Sequence, residues 1–105
     1  MVLREIAHSR TGDKGNLVTI SVIAYRAEDF SRIVAEVTVE RVNERFAEFL
    51  DGSADRYLIP KLCAVTFVLK RPLTQGVTRS LALDAHGKCL GSALLGLELS
   101  KANEG

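Results

Sequence analysis

The stretch that most limits what this chain can fold into is residues 17–25. Val18, Ile20, Val22 and Ala24 alternate there with Thr19, Ser21 and Ile23. A period of two puts the first set on one side of an extended strand, so that strand has one face to bury. Directly downstream the period changes. Phe30, Ile33, Val34 and Val37 fall on one helical stripe, and Val42, Phe46, Phe49 and Leu50 on a second. Thr38 stands between them as an N-cap, with Glu40 in the following turn where the helix dipole favours an anion. The pattern predicts two consecutive helices over residues 28–50, bent near Val37 and Thr38 and stopped by Asp51, Gly52 and Ser53. Helix stripes and a half-apolar strand bury one another most simply as an α+β two-layer sandwich.

The remaining segments fill in that frame. Residues 2–8 read as a short strand, residues 9–16 as a loop rich in Ser, Gly, Asp and Asn, and residues 55–59 as a strand. Residues 61–70 are ambiguous: Leu62, Val65, Thr66 and Leu69 suit a helix, while Val65, Phe67 and Leu69 suit a strand. Pro60 is at home in a first helical turn, which favours the helix, ended by Pro72. Residues 78–83 and 90–99 read as strands joined through a hairpin turn over residues 84–88. The order ββααβαββ gives a mostly antiparallel sheet with helices on one face. Its other face is left to solvent or to a partner, and a homo-oligomer is expected. Residues 1–99 are expected to form one domain, followed by a frayed tail over residues 100–105.

The totals narrow the possible partners. The 105 residues suit one domain, and 14 Lys and Arg against 13 Asp and Glu leave a net charge of +1. Nucleic-acid binding needs a basic surplus gathered on one face, so no nucleic-acid partner is expected. Most aromatics, Tyr57 and Phe67 among them, occupy core-like positions rather than a stacking platform. Residues 1–10 lack the apolar run of a leader, and nothing reaches the length of a membrane span, so a cytoplasmic setting without membrane contact is expected. Cys63 and Cys89 have 25 residues between them and no His cluster accompanies them. They are expected to be two separate thiols, with no metal site and no cofactor.

The densest chemistry is in residues 8–16, His-Ser-Arg-Thr-Gly-Asp-Lys-Gly-Asn. Gly12 and Gly15 permit close backbone approach, and successive N–H groups in such a loop can form an anion nest. Arg10 and Lys14 add cationic donors. His8 and Asp13 are weak candidates for a general base. The alternative is a tight turn with a local ion pair. Residues 75–80, with Gly76, Arg79 and Ser80, could bring Arg79 to the same end of the sheet, or could simply start a strand in solvent.

At these residues the chain resembles a known family. LREIAHSRTGDKGN, then RYLIPKLCAVTFVLKRPL, GVTRSLALDAHGK and LGSALLGLEL, are similar to the AtuA-like ferredoxin-fold family over about residues 3–99. The most specific parts are AHxRxGDKG and GVTRSL, with Ser9 and Thr11 at the variable positions. The resemblance implies a ferredoxin-like α+β fold and a metabolic setting near acyl-CoA or isoprenoid breakdown. It also implies a relation to the larger acyclic-terpene-utilisation proteins that carry this domain, whose main domain does not fit in 105 residues. "Ferredoxin-like" is topology here, since an iron–sulfur cluster needs a cysteine quartet. Three functions follow as expectations. The chain is an accessory subunit of such a larger protein. Or it binds a small carboxylate or phosphate, such as part of a CoA ester, through Arg10, Gly12, Asp13, Lys14, Gly15, Asn16 and Arg79. Or the glycine loop serves the fold alone.

Overall fold

A computed structural model describes residues 1–47, 50–70 and 87–100. Four antiparallel strands form one sheet: β1 (Ala7–Lys14), β2 (Leu17–Ala24), β3 (Asp55–Ile59) and β4 (Ala64–Lys70), in the order β1-β2-β4-β3. Among the described residues three helices accompany it, α1 (Phe30–Glu36), α2 (Val39–Arg45) and α3 (Gly87–Leu95). This is the expected α+β sandwich with a mostly antiparallel sheet. The register Val22↔Val65, Ile20↔Phe67 and Val18↔Leu69 stacks the apolar sets of the two central strands on one face. Those six side chains are buried, together with Leu3, Ile33, Val37, Val42, Phe46, Leu90 and Leu94 from the segments above them.

The helical pair matches its sequence pattern closely. The bend falls at Val37 and Thr38, and the Thr38 hydroxyl accepts the Arg41 N–H at 3.2 Å. Helix α2 ends at Arg45, short of Leu50. Two side chains lock the pair to β3. Asn43 accepts the Ala54 N–H at 2.8 Å, and Arg56 donates to the Val34 and Val37 carbonyls that α1 leaves open at its end.

Four local expectations are overturned, each by tertiary pairing. The first strand begins at Ala7, because Leu3–Glu5 winds into a 3-10 turn whose Glu5 carboxylate accepts the Val2 N–H. Residues 9–14 are strand and not loop: all of β1 is laddered to β2, so the turn shrinks to Gly15 and Asn16 between Lys14 and Leu17. Gly15, at φ 63°, takes the positive φ that a two-residue hairpin demands. Residues 64–70 are a central strand and not a helix. Pro60 does open a helical turn, but it lasts only from Pro60 to Leu62, and Cys63 at φ 54° turns the chain out of it. Val65, Thr66 and Val68 are β-branched and find a partner strand on each side.

The fourth correction concerns residues 90–99, expected as a strand. Gly87–Leu95 is helix α3, and only the segment after it is extended, pairing with the N-terminus through Leu3 N–H to Leu97 O and Leu99 N–H to Met1 O at 2.9 and 2.8 Å. Leu90 and Leu94 are one helical turn apart and both buried. The expected hairpin over residues 84–88 is replaced from Gly87 on by this helix. The expected strand over residues 78–83 lies outside the described residues. Among those described, no helix is long and apolar enough to cross a membrane.

Candidate functional site: the open face and its two edges

With all three helices on the apolar side, the opposite face of the sheet carries no layer of described residues. The register lines up its rows. Arg10, Ser21, Thr66 and Tyr57 cross the middle; His8, Ile23, Ala64 and Ile59 lie on one side; Gly12, Thr19, Val68 and Asp55 lie on the other. Ser21 and Thr66 share a hydrogen bond of 2.8 Å between hydroxyls. The Thr19 hydroxyl donates to the Gly12 carbonyl at 3.4 Å, and a Cβ at Gly12 would sit 3.3 Å from that oxygen. His8 stacks on Tyr25 with ring centroids 5.1 Å apart. Ile23, Ser21, Thr66 and Val68 are half-buried by their neighbours alone. The surface is therefore semi-polar, with hydroxyls at its centre and both apolar and charged groups around them.

The candidate site residues take up new positions on this frame. His8, Arg10 and Gly12 are strung along β1, and so is the backbone of Asp13 and Lys14. Successive N–H groups of a strand point in opposite directions, so β1 offers no nest of converging amides. Arg10 is exposed and engages no carboxylate or carbonyl among the described residues. Gly15 and Asn16 form the hairpin tip, and Arg79 lies outside the described residues. Sequence reading passed over Ser21, Thr66 and Tyr57, which share Arg10's row. The signal was present in the alternation of β4, which assigns Thr66 to the open side once it is read as a strand. Tyr57 was expected in the core and is exposed, whereas Phe67 is fully buried as expected.

The edges of the sheet differ. Along β1, Ser9 and Thr11 lie under α3, so close that a Cβ at Gly91 would meet the Ser9 hydroxyl at 2.7 Å and the Thr11 methyl at 3.0 Å. Along β3, Tyr57, Leu58 and Ile59 are all exposed, and so is Leu62 just beyond. Leu58 belongs to the helix-side face, since it pairs with Val65, yet the helix layer stops short of it.

Two charged clusters serve the frame. Glu36 receives the Ser100 hydroxyl at 2.6 Å and the Ser100 N–H at 2.8 Å, with Arg32 and Arg41 as ion-pair partners. The Ser100 hydroxyl, its amide and the Arg32 guanidinium hold the Glu36 carboxyl below its usual range, against a smaller opposing effect of desolvation. A hollow of about 220 Å³ is lined by Arg41, Glu44, Arg45, Leu97 and Glu98. Its guanidinium groups are already committed, Arg45 to the Ala93 carbonyl at 2.8 Å and Arg41 to the Glu98 carbonyl at 2.5 Å. They satisfy carbonyls at and beyond the end of α3. Among the described residues no three His, Cys, Asp or Glu side chains gather as a metal ion would need.

A four-stranded antiparallel sheet with the described helices on one side is consistent with a ferredoxin-like α+β domain. The chain belongs to the AtuA ferredoxin-like domain family, whose model matches residues 1–100. No curated protein and no solved structure matches it significantly.

Proposed function

We propose that this chain is an accessory domain that docks on a larger AtuA-type protein through the open face of its sheet. The setting is cytoplasmic acyl-CoA or isoprenoid breakdown. The observation that carries the proposal is that face itself: half-buried Ile23, Ser21, Thr66 and Val68 with no described layer above them, in a domain of a family named for the larger proteins. An extended surface that mixes hydroxyls with half-buried apolar groups suits a protein partner better than a small molecule, which needs a concavity to be enclosed. Co-purification from the native host at mild salt is the test. The larger protein should accompany the tagged chain and be lost with Thr66→Arg, which raises a charged side chain from the centre of the face. Recovery of the small chain alone would sink the proposal.

A second reading rests on Arg10. Its guanidinium is exposed, free of acceptors among the described residues, and aligned with the hydroxyls of Ser21, Thr66 and Tyr57. It could take a carboxylate or phosphate in two-point contact, as at one end of a CoA ester. Thermal shifts with phosphate and CoA esters, abolished in Arg10→Ala, would support this reading. Equal shifts in the variant would dismiss it.

A further inference from the structure

Edge strands of soluble proteins are ordinarily protected by a charge in mid-strand, a bulge or a covering element. Strand β3 has no bulge and no covering element among the described residues, and its guards are its length of five residues, Asp55 at its start and Pro60 just past its end. Its centre is Tyr57-Leu58-Ile59, with exposures of 55, 46 and 37%, and Leu62 beyond it is 63% exposed. The strand's one central charge, Arg56, donates to the Val34 and Val37 carbonyls on the helix side and so does not project from the edge. The exposure also spans both faces of the strand, because Leu58 and Tyr57 point to opposite sides. Solvating one face does not account for that pattern. Covering the edge itself does.

We infer that β3 pairs with β3 of a second copy, antiparallel about a two-fold axis at Tyr57, joining two four-stranded sheets into one of eight. The strand's own sequence is complementary to itself in this register. Tyr57 faces Tyr57, Arg56 faces Leu58, and Asp55 faces Ile59, so all five strand residues are paired and no like charges oppose. Pro60, which has no N–H to give, falls just outside the ladder. A two-fold centred on a residue also brings odd positions to odd and even to even. The backbone groups that β4 leaves unpaired therefore meet their own kind across the axis. On the helix side, Leu58 would gain the cover that the helix layer does not provide. The exposed side chains amount to roughly a few hundred Å² per copy, at the low end for a specific interface, so the dimer is reversible.

Sedimentation of the purified chain over a wide concentration range tests this, with circular dichroism to verify folding. The wild type should pass from monomer to dimer. Tyr57→Lys, which sets two ammonium groups face to face at an exposed position, should weaken the dimer at least about tenfold with the fold intact. Ile59→Asp, which sets a second carboxylate opposite Asp55 of the other copy, should also weaken it, and Ile59→Lys should weaken it less, which probes the register. A chain that stays monomeric at every concentration overturns the inference, as does a dimer indifferent to Tyr57→Lys. Either result leaves docking of the larger protein on the open face untouched, because that is read by co-purification.

Discussion

The two edges of this sheet are built from different material and end the opposite way to what that material suggests. Strand β1 is rich in Ser, Thr, Gly and charge, which favours turns and solvent; strand β3 carries Tyr, Leu and Ile, which favour a sheet interior. Yet β1 is the buttressed edge and β3 the bare one among the described strands. Helix α3 lies across β1 at contact distance from Ser9 and Thr11, while the helix layer ends before Leu58. The contrast teaches that composition alone does not tell which edge is closed within the chain. The small side chains of β1 are what let a helix carrying Gly91 come so near, and the large ones of β3 remain for another surface.

If α3 is the buttress of β1, removing its anchor should be the most damaging change. Leu94→Ala empties a fully buried position and is expected to cost about 2–5 kcal/mol in chemical denaturation. Gly91→Leu attacks the same contact by overfilling it, since even a Cβ there falls inside contact distance of Ser9 and Thr11; about 1–3 kcal/mol should be lost. A neutral effect of Gly91→Leu would show that α3 does not need its close approach to β1.

The extended segment after α3 is tethered by Glu36, and its contribution depends on pH. The folded-state pKa of Glu36 is depressed, so its stabilising effect is complete above the ordinary glutamate range and is lost as pH falls through the lowered value. Glu36→Gln should therefore narrow the stability gap between pH 7 and acid, and should speed amide exchange near Ser100 at neutral pH. Unchanged exchange in the variant would show that the tether is decorative. The smallest effect belongs to the bare edge: Leu58→Lys should alter the stability of the dilute monomer by no more than about 0.5 kcal/mol. A large loss there would mean that β3 is covered after all, and the comparison would fail.

The helical pair was legible because its signals are local: a 3.6-residue stripe, a Thr at the cap and a second stripe. Strand β2 was legible because its alternation is unbroken. The misread elements are those where short-range preference and long-range pairing disagree. Residues 9–14 look like a loop until β2 supplies a ladder for them, and residues 64–70 fit either period until strands flank them on both sides. In residues 90–99 the run of apolar and small side chains suits both forms, and packing on β1 selects the helix. Of the candidate site, Arg10 stayed exposed and available. The convergence imagined around it depended on a loop, and a strand spreads the same residues over its length.

By itself the sequence determined the α+β class, the bent helix pair, the buried face of β2 and the family, since each rests on periods and motifs carried by neighbouring residues. Only the tertiary structure decided which face of the sheet the described helices leave open, that Arg10 shares a row with Ser21, Thr66 and Tyr57, and that β3 is the edge uncovered among the described residues. Those facts depend on strand order and register. Both come from contacts between residues far apart in the chain, whose combined burial outweighs the weak local preference of any single segment.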